Sequence, residues 1–290
     1  MTDYYEINYD NFIMISEKDK NDKTNKIREE MLKICFENYK NIGFNPKIGK
    51  NIFDELSILL EANNIDKITD VQHIGGMKAN DFVIKYLHKN KEKILNIDFK
   101  FNVKNIKNLA QVKQIYTTNK KLQNFIKEES YHKFYYENYL DKILEYLATK
   151  NIILDKPEYS FYVSKVNNFD KKTMDKFFNV LKTNQKKYTK EYKKIVDTSI
   201  SMYLDKYGKN NDIEILIDNL ESTENKAYLL FKNNKFYLEN MSSTKIKSFS
   251  KIKNNNTLVF DTNDNKKIEM MLRWKNGAGC IGSAWQIKIV

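Results

Sequence analysis

Two apolar runs lie close together in the first third of the chain: Asp81-Phe82-Val83-Ile84 and, after a polar Lys-Asn-Lys-Glu-Lys turn, Ile94-Leu95-Asn96-Ile97-Asp98-Phe99-Lys100-Phe101. From Ile97 to Phe101 the alternation is strict, which predicts a strand and sends Asp98 and Lys100 to the same face. If the two runs form a hairpin, Asp81 lies beside Asp98. Ahead of them, Ile27, Met31, Ile34, Cys35 and Tyr39 recur at helical spacing, predicting a helix over 24–41 that Gly43 and Pro46 end. A second helix is predicted over 51–63, with Ile52, Phe53, Leu56, Leu59 and Leu60 as its buried stripe.

Further along, Ile106, Leu109, Ala110, Val112 and Ile115 predict a helix over 106–116 packed back on the sheet, and 131–148 reads as another amphipathic helix. The aromatic and β-branched run 159–166 predicts a strand. Residues 171–207 return to helix, densely basic, with Phe177, Phe178, Leu181, Tyr188 and Tyr192 among the lysines. Such a stretch can track a phosphate backbone, or simply carry a core stripe between solvated lysines. From Asp212 onward the pattern predicts strands at 213–217, 227–231, 235–238, 257–260, 266–274 and 284–289, joined by Asn-rich turns. No internal repeat and no linker rich in Pro, Gly and Ser interrupts the chain. The expected architecture is therefore mixed α/β, with a soft boundary near Lys171 between residues 1–170 and a helical and β-rich part at 171–290; one continuous domain stays open.

At 290 residues the chain can bury a substantial core. No apolar run approaches the roughly 18 residues of a membrane span, and the acidic start Met-Thr-Asp-Tyr-Tyr-Glu has no signal-peptide pattern, so a cytoplasmic protein without a membrane partner is expected. Cys35 and Cys280 are too few and too far apart for a Cys-based zinc site, and His73, His88 and His132 have no zinc-ligand spacing. The net charge is +12 and the isoelectric point about 9.2, a balance suited to neutralising DNA phosphates. Abundant lysine and asparagine are equally the mark of an AT-rich coding sequence, so charge alone leaves nucleic acid an even choice.

The candidate chemistry centres on the two acidic runs. Phosphodiester hydrolysis needs an in-line water and relief of charge on the phosphate and leaving oxygen, all of which Mg²⁺ can supply. Asp81 and Asp98 are expected as metal ligands, the carbonyl of Phe99 as a third oxygen, and Lys100 as the group that orients the water or stabilises the phosphate. The bland alternative is that Asp98 and Lys100 form the solvent face of an edge strand. Against it, the apolar flanks Ile94, Leu95, Ile97, Phe99 and Phe101 suggest a central strand, where charge is unexpected. Glu29, Glu30 or Glu55 can complete the metal shell, with Glu55 preferred because its helix is nearest in sequence. Gln111 and Gln114 are expected on the following helix, Gln114 orienting the water. Before the first acidic strand, His73-Ile-Gly-Gly76-Met-Lys78 offers either a phosphate-approaching glycine loop with Lys78 as counter-charge or a plain turn. Near the C-terminus, Leu272-Arg273-Trp274-Lys275-Asn276-Gly277 and Gln286 gather side chains able to read base edges, and the alternative there is a hairpin whose tryptophans fill the core.

These residues resemble the type II restriction endonucleases of the PD-(D/E)XK nuclease superfamily. Asn80-Asp81 stands where the family has Pro-Asp, and Asp98-Phe99-Lys100 matches the acidic-x-Lys element; the run from Leu272 to Gly277 is a weaker similarity. The resemblance covers about a fifth of the chain. It implies a restriction-endonuclease-like mixed sheet flanked by helices, Mg²⁺ on Asp81 and Asp98, Lys100 assisting the attacking water, and target recognition in added elements. It also implies double-stranded DNA as substrate, a two-fold homodimer and a cognate DNA methyltransferase encoded nearby. A repair or recombination nuclease of the same superfamily, and a non-enzymatic basic DNA-binding protein, are the alternatives.

Overall fold

Helices α1 (Tyr9–Ile13), α2 (Asn21–Glu37) and α3 (Lys50–Ala62) precede a meander of three antiparallel strands, β1 (Lys67–His73), β2 (Phe82–His88) and β3 (Lys91–Phe101). A computed structural model describes residues 9–15, 21–41, 50–74, 80–120, 122, 124–168, 170, 172–221, 226–240, 244–275 and 282–290. Past β3 run a single 3-10 turn at Ile106–Asn108, strand β4 (Lys113–Tyr116), and helices α4 (Tyr131–Asn138), α5 (Leu140–Ala148), α6 (Tyr159–Lys165), α7 (Lys176–Lys187), α8 (Thr189–Tyr207) and α9 (Ile213–Glu221). Six strands follow: β5 (Lys226–Lys232), β6 (Lys235–Asn240), β7 (Ile246–Lys253), β8 (Thr257–Thr262), β9 (Lys267–Trp274) and β10 (Ser283–Ile289).

The described strands form two sheets, ordered β1-β2-β3-β5-β6 and β4-β10-β9-β8-β7. The hairpin between the acidic runs is real, and its turn is tight. Lys89 and Asn90 both adopt positive φ, 49° and 62°, the pairing that matches the twist of adjoining strands. This sets Phe82 opposite Ile97 and His88 opposite Lys91. Asn233 and Asn234 make the β5–β6 turn in the same way, with φ of 51° and 60°. Asparagine tolerates that left-handed region better than most residues, so the asparagine-rich turns predicted from sequence do their expected work.

One face of the first sheet holds the helical core. Ile52, Leu56 and Leu60 of α3 and Met31, Leu32, Cys35 and Phe36 of α2 pack with Phe82, Ile84, Ile97, Phe99, Leu229, Phe231 and Phe236. Arg28 is buried with them: its Nε donates to the Phe12 carbonyl at 2.7 Å and its guanidinium lies 3.4 Å from the centre of the Phe101 ring, fastening α1 and α2 to β3. In the second sheet, Ile268, Met270, Leu272 and Trp274 of β9 are buried, while the alternate positions Lys267 and Arg273 are exposed and Glu269 and Met271 half-buried. That is the period-2 pattern of a sheet covered on one side. No helix among the described residues is long and apolar enough to cross a membrane.

Four expectations differ from the structure. Residues 106–116 are not a helix: Val112 N donates to the Ile287 carbonyl at 2.8 Å and Thr117 N to the Ser283 carbonyl at 3.0 Å, so pairing with β10 draws 113–116 into an edge strand. Local periodicity lost to tertiary pairing. Residues 159–166 form helix α6 rather than a strand, because buried Tyr162 and Val166 stand one helical turn apart. Residues 213–217 likewise open helix α9, whose first N–H groups are taken by Asp212 Oδ1, from Glu214 at 3.1 Å and Ile215 at 3.4 Å. Strands β1 and β7 were not read from the sequence at all. The chain also divides elsewhere than at 170/171: one compact unit is Met1–Leu109 with Ser222–Ser243, the other Ala110–Glu221 with Thr244–Val290. The physical reason is β5, which returns to pair in parallel with β3.

The cap on α9 gives a direct check. Asp212→Ala is expected to lower stability by about 1 kcal/mol in urea denaturation, whereas a strand beginning there would leave stability unchanged.

Candidate active site

Alternation along β3 puts Ile97 and Phe99 in the helical core and turns Asp98 and Lys100 to the opposite face of the sheet. Asp81 stands immediately before β2. Its N–H donates to the Ile97 carbonyl at 2.9 Å, which continues the ladder by one residue and sets Asp81 across from Asp98. Its side chain then substitutes for main chain: Asp81 Oδ2 accepts the Phe99 N–H at 2.8 Å. The two carboxylates predicted to converge do converge.

The structure adds a partner that the sequence reading missed. Lys226, first residue of β5, reaches Asp98 Oδ2 at 2.9 Å, while Lys100 bonds Asp98 Oδ1. Both Asp98 oxygens thus carry an ammonium. The lysines differ in setting: the Lys226 side chain is 10% exposed and that of Lys100 36%. Directly across from Asp98 on β5 is Tyr228, buried, its phenol pushed upward by burial and by the Asp98 charge. A signal for Lys226 existed, a lone charge heading the apolar run Ala227-Tyr-Leu-Leu-Phe231, of the kind that marked Asp98.

This arrangement drives the two carboxyl groups apart in acidity. Burial, then the neighbouring Asp98 charge, raises Asp81 to about 7. Burial also works against a charge on Asp98, but Lys100 and Lys226 outweigh it and hold that carboxyl below its ordinary value. Paired carboxylates of this kind are suited to a hard divalent cation, with backbone oxygens or water completing the shell. Among the described residues no group of three or more His, Cys, Asp and Glu is arranged to hold a metal, so two carboxylates are what the site offers. Phe99 turns its ring into the core and contributes its N–H to Asp81.

The other expected site residues are more dispersed. Glu55 is on α3, whose buried stripe packs against the helical face of the sheet, so it is not brought to Asp98. Glu29 Oε2 instead accepts from His73 Nε2 at 2.9 Å, Glu30 Oε2 lies 3.6 Å from Nδ1, and the imidazole stacks on Phe82 with ring centres 5.1 Å apart. Gln114 lies on β4 in the second unit, in register with Gln286, and not on a helix following β3. Near it, Arg273 Nη1 donates to Gln286 Oε1 at 2.9 Å, Gln286 Nε2 to the Ala110 carbonyl at 2.6 Å, and Lys275 Nζ lies 3.4 Å from the Tyr116 hydroxyl. Arg273 and Lys275 are on the exposed face of that sheet, while Trp274 and Trp285 fill its core, as the bland reading of the hairpin holds. Lys78 and Asn276 lie outside the described residues.

No family model and no curated protein matches this chain, so what the cluster does rests on its own geometry.

The pH behaviour follows from the two shifts. The Asp81 pKa is raised above its ordinary 3.8, so its ionisation costs folding free energy fully present above pH about 7 and absent below pH about 4. Asp81→Asn is therefore expected to melt higher than the parent at pH 8 without metal, with the gap closing by pH 4 in thermal scans. Asp98→Asn does the opposite. It leaves Lys226 buried without its counter-ion and is expected to cost about 3 kcal/mol at pH 7, a loss that shrinks in acid as the parent's own Asp98 protonates.

Proposed function

We propose that the chain is a Mg²⁺-dependent, sequence-specific double-strand DNA endonuclease of the type II restriction kind, with a PD-(D/E)XK-like catalytic unit. The observation that carries the reading is the convergence of Asp81 and Asp98 on one face of adjoining strands, with Lys100 on Asp98. In this reading Asp81 and Asp98 hold the cation. A bound divalent ion would supply an activated water and relief of charge on the scissile phosphate. Lys100, the more exposed lysine, moves from Asp98 Oδ1 toward the phosphate or the attacking water. Gln114 then belongs with Gln286 in contacting substrate rather than with the acidic pair.

Duplex DNA as partner is supported by the net charge of +12 and by the exposed lysines Lys186, Lys187, Lys190, Lys193 and Lys194 around the corner between α7 and α8. Exposed Arg273 and Lys275 add to this on the outer face of the second sheet, with Gln286 beside Arg273. Cutting both strands of a palindrome calls for a two-fold dimer, and the enzyme would act in the cytoplasm alongside a DNA methyltransferase of the same specificity.

Purified protein with Mg²⁺ is expected to cut diverse unmethylated DNA into discrete fragments. Asp98→Ala and Lys100→Ala are each expected to reduce cleavage at least a hundredfold while retaining DNA binding in a gel-shift assay. Progressive degradation from ends would favour a repair nuclease, and binding without cleavage in the parent protein a non-catalytic DNA-binding protein.

A further inference from the structure

Building on the endonuclease reading, we propose that Lys226 is a fixed internal cation standing where a second metal ion would otherwise be required, so that the Asp81–Asp98 pair takes one divalent cation per chain. The charge inventory is the first ground. Two carboxylates and two ammonium groups meet on this face of the sheet, and no third acidic side chain among the described residues joins them. Among the described residues, two divalent ions would bring four positive charges to two carboxylates that two lysines already contact. One ion, entering as Lys100 withdraws, keeps the balance near neutrality.

Placement is the second ground. Lys226 is held by the parallel ladder opposite Asn96, two residue pairs from the Asp98–Tyr228 pair and so on the same face, and its ammonium sits 2.9 Å from Asp98 Oδ2 and 5.1 Å from the centre of the Tyr228 ring. That contact leaves Asp98 Oδ2 held by Lys226 rather than open to a second ion. A lysine ammonium is a compact point charge with three donors, suited to replacing a hydrated ion in a buried position. Lys100, on the same carboxylate, is the lysine with room to leave. The two ammonium groups therefore divide the work: Lys226 stays on Oδ2 as a positioning residue, and Lys100 yields Oδ1 to the cation and turns to the substrate.

Metal counting tests this without relying on cleavage. Metal-free protein is titrated with Mn²⁺ alone, and bound ion is counted from the loss of the free-ion electron paramagnetic resonance signal. The parent protein is expected to bind one ion per chain, lost in Asp98→Ala. Lys226→Met is expected to bind Mn²⁺ at least tenfold more tightly, because a neighbouring positive charge is gone, yet to cleave more slowly at saturating Mg²⁺. Lys226→Arg, which keeps the charge, should return the affinity to the parent value. A residue that merely supports the fold would give the reverse, weaker metal binding in Lys226→Met. Two ions per parent chain, or unchanged or weaker binding in Lys226→Met, overturns the role of Lys226 and leaves the endonuclease reading standing. No ion bound by the folded parent strikes at that reading itself. Should Lys226→Met fail to fold, the ion count of the parent chain decides.

Discussion

The parallel pairing of β3 with β5 is the contact on which the site depends. Antiparallel neighbours can be joined by a two-residue turn, as β2 and β3 are, but parallel neighbours require the chain to leave the sheet and cross over. Here the crossover carries the larger part of the second unit: the chain departs after Leu109 and re-enters the first unit at Ser222. What that excursion delivers is β5, nearly all of it buried, with Lys226 at its head and Asp98 in register with Tyr228. Without it β3 would be an edge strand, and Asp98 and Lys100 a solvated ion pair of little consequence.

With β5 in place the electrostatics change character. Asp98 becomes a largely buried carboxylate that needs compensation, and it has two ammonium partners, one on each oxygen. Asp81, which completes the ladder beyond β2 by accepting the Phe99 N–H, is left as the carboxyl whose ionisation is resisted. A pair of adjacent carboxyl groups pushed apart in acidity by burial and by each other is a frequent signature of a functional site. Helices α2 and α3 fill the opposite face of the same strands.

Much of this was legible in the sequence, and the exceptions have physical causes. Strict alternation from Ile97 to Phe101 placed Lys100 on the same face as Asp98, while Asp81 beside Asp98 was conditional on a hairpin, which the positive-φ turn at Lys89-Asn90 supplies. The stripes of α2 and α3 were plain for the same reason, since periodicity is a local property. Lys226 was not visible as a partner because its pairing joins segments separated by all of residues 110–221, which fold into the other unit, and the domain boundary was misplaced by the same excursion. Composition misled where it competed with spacing: the aromatic run at 159–166 looked like a strand, but Tyr162 and Val166 are a helical pair, and Asp212 was a readable cap for α9. Gln114 was assigned to a helix that pairing with β10 turned into a strand.

The proposed role of Asp81 and Asp98 is to hold a divalent cation jointly on the face opposite the helices. Anomalous diffraction from crystals of the protein grown with Mn²⁺ tests it most directly. One anomalous peak ligated by both carboxylates is expected, with Lys226 still on Asp98 Oδ2 and Lys100 moved off Oδ1. Saturating Mn²⁺ with no peak at this position, and both lysines still bound to Asp98, would contradict it.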